Sequence, residues 1–450
     1  MKEPAVLFRE TLVSLLEEKK YPTLRDVLVT LNPADIAALF EELPADRLPL
    51  LFRLLPKELA AETFVEMEPD EQELLIRGFS DNELKEVIDE LYLDDAVDIV
   101  EEMPANVVKR ILRSADPDTR KMINEILKYP EDSAGSIMTI EYVRLRRQFT
   151  VEQAIKHIRR TGIDKETIYT CYVTDDNRRL LGFVSVKTLL LSDEEASIED
   201  VMETNVIYVY TTEDRETVAN LFHKYNFIAL PVVDEEQRLV GIVTVDDALD
   251  VMQEEYTEDI EKMAAITPSG KPYLKTSVFA LWKARIPWLL LLMISATFTG
   301  MIITAFEQAL AAQVTLAAFI PMLMDTGGNC GSQSSATVIR GLSLEIEFSD
   351  LLRVQWKEIR VAVLCGVTLA AASFAKLLLF DKVTLAVALV VCVTLAVTVL
   401  CAKVVGCTLP ILSMKVGFDP AVMSSPFITT IVDAISLMLY FSVATAVLGL

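Results

Sequence analysis

"SSPFITTIVDAISLMLYFS", Ser424 to Ser442, is apolar almost throughout, and near its middle stands one acid, Asp433. No other charged residue occurs between Pro420 and Leu450. A run this long and this apolar reads as a helix crossing a bilayer. A carboxylate at mid-bilayer is costly, so it faces a bundle interior or a watery cavity. Two readings follow. Asp433 is a protonated, hydrogen-bonded joint between helices, or it is a cation site on a permeation path.

Four further spans are expected upstream. Ile286–Phe306 and Val383–Ala402 are free of charge. Gln308–Met324 is uncharged and runs into Asp325, and Val361–Ala375 reaches Phe380 past Lys376, whose stem can snorkel. Basic residues cluster on one side of these five spans: Lys271, Lys275, Lys283 and Arg285; then Arg340, Arg353, Lys357 and Arg360; then Lys403 and Lys415. The basic side faces the cytosol. The expected topology is a multi-pass protein of the plasma membrane, its N-terminus cytoplasmic and its C-terminus outside.

The second expected span leads into "PMLMDTGGNCGSQSSATVIRG", Pro321 to Gly341. Small residues here let helices approach closely. Gly328 and Asn329 are candidate pore residues, because glycines free backbone carbonyls that suit a hard cation. An ordinary cytosolic loop is the bland alternative. One acid per chain is little for a pore, but a homodimer would bring two Asp433 carboxylates to a shared axis. That arrangement suits Mg2+, which sheds its waters reluctantly and meets proteins through one or two carboxylates.

Composition separates this half from the rest. Residues 1–270 carry 57 acidic and 30 basic side chains, and residues 271–450 carry 9 and 12, against −24 for the whole chain. The boundary lies near Gly270. The acidic half repels nucleic acid and attracts cations. The start, "MKEPAVLFRETLVSLLEEKK", is a charged amphipathic helix without a signal-peptide core. The six cysteines form no C-x-x-C pair, and only His157 and His223 are histidines. Soft-metal chemistry is therefore disfavoured. No P-loop, nucleophile elbow or His-based dyad is present, so the expectation is not an enzyme.

Residues 1–130 read as all-helical, with proline-punctuated starts such as "LNPADIAALFEELPADRL", and helix pairs of this kind stack as a solenoid. In "LYLDDAVDIVEEMP", Asp94 and Asp98 fall on one helix face, where a cation would relieve their repulsion. Further on, "TDDNRRLLGFVSV" (Thr174–Val186) repeats as "VDEEQRLVGIVTV" (Val233–Val245). Each copy is a strand, an acidic turn and a second strand, with a helix pattern before and after. The acidic run "TVDDALDVMQEEYTEDIEKM" then predicts one long helix from Asp246 to Met263.

The repeat resembles a pair of CBS domains, modules that act as sensors and commonly bind adenine nucleotides or metal ions. A dimerisation module without ligand is the alternative. The whole order of segments, with "GGNCGSQ" at Gly327–Gln333 and the "FDPAVMSSPFITTIVDAISLMLYF" run, resembles the MgtE family of magnesium channels. The resemblance implies a multidomain chain. It has an all-α N-terminal solenoid (1–130), an α/β tandem CBS pair (131–253), a connecting plug helix (254–270) and a five-helix transmembrane pore domain (271–450). It implies a homodimer in the lipid bilayer, with Asp433 lining the pore and Mg2+ as the ion handled. It also implies cytosolic Mg2+ sites at Glu62, Asp94, Asp98, Glu216, Asp247, Asp250, Glu258 and Asp259, with Asp419 at the inner membrane face. Asn226 stands where some members carry an acid, which would weaken a site shared with Asp250. Binding of Mg2+ to these acids would close the channel. An ion-coupled carrier and a membrane-anchored nucleotide sensor that transports nothing are the rivals.

Overall fold

The structure, a computed structural model, describes residues 11–269, 273–343, 346–423 and 425–449. The first ten residues of the expected N-terminal helix, the Gly270 boundary and Lys271 lie outside them. The chain divides into two units, at Met252–Gln253.

The first unit opens with short helices: α1 (Tyr21–Leu28), α2 (Pro33–Glu41), α3 (Leu48–Phe52), α4 (Lys57–Val65), α5 (Pro69–Gly78), α6 (Asp81–Ile88), α7 (Leu93–Glu102), α8 (Ala105–Ser114) and α9 (Pro117–Ile126). Proline occupies the first turn of α1, α2, α3, α5 and α9, where its missing N–H costs nothing. α6 starts with a capping box, Ser80 and Glu83 each accepting from the other's amide. Alternate helices pack together, α2 on α4, α4 on α6 and α6 on α8, which is the stacking of a solenoid. Their apolar faces bury Leu24, Ile36, Phe40, Phe64, Leu75 and Val97 in one core.

Two three-stranded sheets follow. β1 (Tyr142–Arg146) runs parallel to β2 (Thr167–Thr174), which turns into antiparallel β3 (Leu180–Ser185). β4 (Val209–Tyr210), β5 (Ala229–Val233) and β6 (Leu239–Thr244) repeat the order. Helices α10 (Val151–Thr161), α11 (Val186–Leu191), α12 (Ile198–Val201) and α13 (Arg215–Tyr225) complete the pair. The acidic turns of both copies contain one left-handed residue in the same place, Arg178 and Gln237. The turns also bond to each other: the Leu180 amide donates to the Gln237 carbonyl at 3.1 Å, and the Leu239 amide to the Arg178 carbonyl at 2.9 Å. The expected long helix is α14 (Val245–Met263). The segment expected to be helical to residue 270 stops there.

The second unit contains α15 (Val278–Ala305), α16 (Glu307–Ala312), α17 (Ile320–Leu342), α18 (Leu351–Leu379), α19 (Leu385–Val416) and α20 (Ser425–Leu448). Among the described residues, four stretches are long and apolar enough to cross a membrane: Val278–Ala305, Phe348–Leu379, Leu385–Val416 and Pro420–Leu448. The second expected span, Gln308–Met324, is not one of them. The backbone breaks at Gln313 and passes through a 3-10 turn, and Pro321 then starts α17. α17 is about 34 Å long at 1.5 Å per residue, but it holds the polar glycine run.

The glycine run is therefore helical, and its carbonyls are committed to the helix rather than freed for a cation. Its glycines act by close approach instead. A Cβ on Gly327 would lie 2.9 Å from Val432 Cγ1, one on Gly328 2.9 Å from Thr429 Cγ2, and one on Gly331 2.6 Å from Ile428 Cγ2. A Cβ on Gly406 would run into the Gly331 carbonyl. α17 thus seats its backbone directly on α19 and α20. Lys403 is also not a flank of the fourth span. α19 continues through it to Val416, and Lys403 is only 4% exposed.

Candidate functional site

The acids of the first unit gather where α7 meets the first strands of the repeat. Asp94, in the first turn of α7, is buried. Asp94, Glu141 and Glu166 each offer a carboxylate oxygen within 4.8 Å of the others. Glu141 precedes β1 and Glu166 precedes β2, and the parallel register Tyr142–Thr167 sets them abreast. Glu141 Oε2 accepts from the Leu93 amide at 3.3 Å. Glu166 Oε2 is buried with no hydrogen-bond partner among the described residues.

Asp247 enters this neighbourhood from the first turn of α14. Its Oδ2 accepts from the Thr244 hydroxyl at 2.5 Å and from the Thr244 amide at 3.3 Å. Burial and then the charge of Asp95 push the Asp94 carboxyl up to about 7. Burial with Asp247 and Asp246 does the same to Asp95, also to about 7. Burial and Asp94 raise Asp247 to about 7, and burial with Asp94 raises Glu166 to about 8. Asp98 is open to solvent at its edge, yet the surrounding protein wall, Asp247 and Asp94 raise it too. In each case burial is the first cause, and the neighbouring carboxylates add to it.

Of the expected sensor residues, the structure therefore brings together Asp94, Asp98 and Asp247. Glu62 is exposed on α4, within electrostatic reach of Tyr92. Glu216 is half-buried in the first turn of α13 and Asp250 is exposed on α14, both outside the Asp94–Glu141–Glu166 trio. Asn226 caps α13 in the left-handed conformation, at φ 55°. Asparagine tolerates that conformation better than most residues.

The second unit holds the rest. Lys262 Nζ, near the end of α14, lies 2.6 Å from Glu258 Oε1 and 2.6 Å from Asp419 Oδ2. Asp259 is raised by burial and by Asp419. Burial opposes the charge on Lys262, but its bonds to Asp419 and Glu258 outweigh that and hold the ammonium above its usual range. Glu258, Asp259 and Asp419 thus do converge, around an amine that the sequence reading did not include. Arg340 of α17 stacks over the Tyr256 ring of α14, 5.3 Å from its centroid.

Asp433 is half-buried on α20, and Asp325 of α17 is near enough for its charge to be felt there. Asn329 stands on the exposed face of α17 with Asp325 and Gln333 at four-residue spacing, and Gly328 is buried against Thr429. The chain thus presents polar groups from α17 beside the one acid of α20.

Comparison with known proteins agrees with this division of labour. Residues 31–132 match the model of the MgtE intracellular N domain, residues 134–194 and 198–254 that of the CBS domain, and residues 320–443 that of a divalent cation transporter. The chain is 40% identical over 443 residues to the magnesium transporter MgtE of Thermus thermophilus, covering 97% of this chain and 98% of the relative. It is 34% identical over 437 residues to that of Bacillus subtilis, covering 97% and 96%. The crystal structure of the cytosolic domain of the Mg2+ channel MgtE in complex with ATP is similar with a TM-score of 0.52 and 40% identity. It covers 54% of this chain and 99% of the relative's. The buried acids, the tandem repeat and the glycine-packed apolar bundle occur together in one order over nearly the full length, and the chain accordingly belongs to the MgtE family of magnesium transporters.

Proposed function

We propose that this chain is a Mg2+ channel for uptake across the plasma membrane, closed by cytosolic Mg2+ binding to its acidic domains. The N-terminus is cytoplasmic, the C-terminus lies outside, and the working form is a homodimer whose two Asp433 carboxylates meet a hydrated ion on the axis. The observation that carries the gate is the Asp94–Glu141–Glu166 trio, with Asp247 pressing on Asp94. Carboxylates brought this close repel one another until protons or a divalent ion compensate them.

Mg2+ joining these acids from α7, the β1 and β2 starts and α14 would favour the assembled, closed state. The ion shifts the gate only by the amount that it prefers that state. At low cytosolic Mg2+ the repulsion separates the acids and the pore opens, so uptake stops when the cell is replete. Asp98 joins Asp94 and Asp247 in this cluster, and the remaining candidates, Glu62, Glu216, Asp250, Glu258, Asp259 and Asp419, add further sites that steepen the response. The CBS pair takes an adenine nucleotide, a reading supported by the relative whose cytosolic domain is in complex with ATP.

Single-channel recording of the purified chain in planar bilayers tests this reading. Unitary Mg2+ currents that vanish as Mg2+ is raised on the cytosolic side support it. Saturable flux without unitary currents favours the coupled carrier instead.

A further inference from the structure

Lys403 sits in the interior of α19, 4% exposed, with no obvious reason to be there. Its Nζ lies 3.0 Å from Ser334 Oγ on α17 and 3.5 Å from Glu358 Oε2 on α18. Ser334 Oγ in turn donates to Glu358 Oε2 at 2.7 Å. Three helices therefore meet at one buried, mutually bonded triad. A second polar tie joins α18 to α19 nearby, where Gln355 Nε2 donates to Thr408 Oγ1 at 2.9 Å.

A buried ion pair is a poor device for stability, because apolar side chains of the same shape often hold a core equally well. It is a good device for register, because only one alignment satisfies all its partners. Register is what this bundle needs. α17 packs through Gly327, Gly328 and Gly331, whose notches take facing side chains such as Val432, Thr429 and Ile428. These apolar contacts bring the backbones close, and the polar triad adds an alignment that is right only when all of its partners are met. Ser334 stands five residues beyond Asn329, about 7.5 Å along the helix axis.

We propose that Lys403, Glu358 and Ser334 form a positioning triad that pins α17 against α18 and α19, and so fixes the height of Asn329 and its polar neighbours relative to Asp433. The inference rests on the conduction reading above and adds residues to it. The triad does not touch the ion. It sets which groups the ion meets together, and so acts on selectivity.

The test compares the full-length chain with Lys403→Met/Glu358→Gln, Lys403→Glu/Glu358→Lys and Ser334→Ala. Thermal melting in detergent and the Mg2+/Na+ permeability ratio from reversal potentials are measured on each. The neutral double variant is expected to melt no lower than the parent while its permeability ratio falls about five-fold or more. The swapped pair should recover part of that loss, and Ser334→Ala should lower the ratio about two-fold with unchanged melting. A folded neutral variant with the parent's ratio overturns the proposal. If the double variants do not fold, an unchanged ratio in Ser334→Ala overturns it equally. A parent chain that passes no current sinks the conduction reading alone, and the triad is then judged by Co2+ competition against Mg2+ uptake in the same variants.

Discussion

Glu166 lies abreast of Glu141: the Glu166 amide donates to the Glu141 carbonyl at 2.9 Å, and their carboxylates converge on Asp94. The pairing is made at the start of β1 and β2, where Tyr142 lies opposite Thr167 just before the register shifts toward Arg144. The backbone bond sets the two side chains abreast, and the Leu93 amide holds the Glu141 carboxylate.

Glu166 is pushed up to about 8, so above that pH Glu166→Gln removes a carboxylate charge at constant shape. There the metal-free protein should become more stable, by about 1 kcal/mol, because an uncompensated buried charge is lost. The Mg2+ concentration for half-closure should rise about ten-fold, because a ligand is lost with it. Melting with and without Mg2+ measures both effects. A variant that is less stable without the ion and closes at the parent's Mg2+ level would contradict the metal-binding role.

The raised carboxyls fix the sign of the pH dependence. Asp94, Asp95 and Asp247 titrate near 7 when folded and near 4 when unfolded. Between those values the folded chain holds more protons, so the stability that they contribute is fully present below about pH 4 and is lost as pH rises through about 7. Each proton retained by the native state alone is worth about 1.4 kcal/mol per pH unit. The melting temperature of the metal-free protein should fall from pH 5 to pH 8, and saturating Mg2+ should flatten that slope by taking the protons' place. A melting temperature that climbs over this range would rule the account out.

Lys262 already does for Glu258 and Asp419 what a bound cation would do. Lys262→Met takes away that tethered competitor. Protection of α14 from protease should then require about three- to ten-fold less Mg2+. Equal or weaker Mg2+ protection would show that the amine supports the ion rather than competing with it.

Asp433→Asn keeps the size of the side chain and removes its charge. Mg2+ flux into proteoliposomes should drop at least about a hundred-fold with melting unchanged, because a neutral amide does not hold a hydrated divalent ion against the cost of the bilayer interior. Flux within a few-fold of the parent would return Asp433 to the role of a joint between helices.

Gly331→Ala forces a methyl to within 2.6 Å of Ile428 Cγ2 and 3.2 Å of the Ala402 carbonyl. Overpacking of this kind costs about 1–3 kcal/mol. Gly406→Ala should cost more, because its methyl meets the Gly331 backbone instead of a side chain that can give way. Melting curves of the two variants in detergent rank them.

What the sequence disclosed and what it hid follow one rule. Patterns carried by neighbours along the chain were legible: proline-started helices, the duplicated strand-turn-strand, the long acidic helix and the apolar run around Asp433. Relations set by packing were not. Glu141 and Glu166 are 25 residues apart and meet only through strand register. Lys403 looked like a flanking charge because its partners, Ser334 and Glu358, sit on other helices. The glycine run looked like freed backbone because glycine composition does not distinguish an unwound segment from a helix face pressed against a neighbour. Lys262 is hidden in the same way, because its partner Asp419 lies 157 residues further along the chain.

The exchange of backbone bonds between the turns at Arg178 and Gln237 bears on how this protein can be cut and grafted. Neither repeat closes its own edge. Each lends the other an amide and a carbonyl, so a fragment ending between β3 and β4 would give up two main-chain bonds and leave those groups to water. The duplicated halves are therefore expected to be more stable grafted as one piece than cut at Val209.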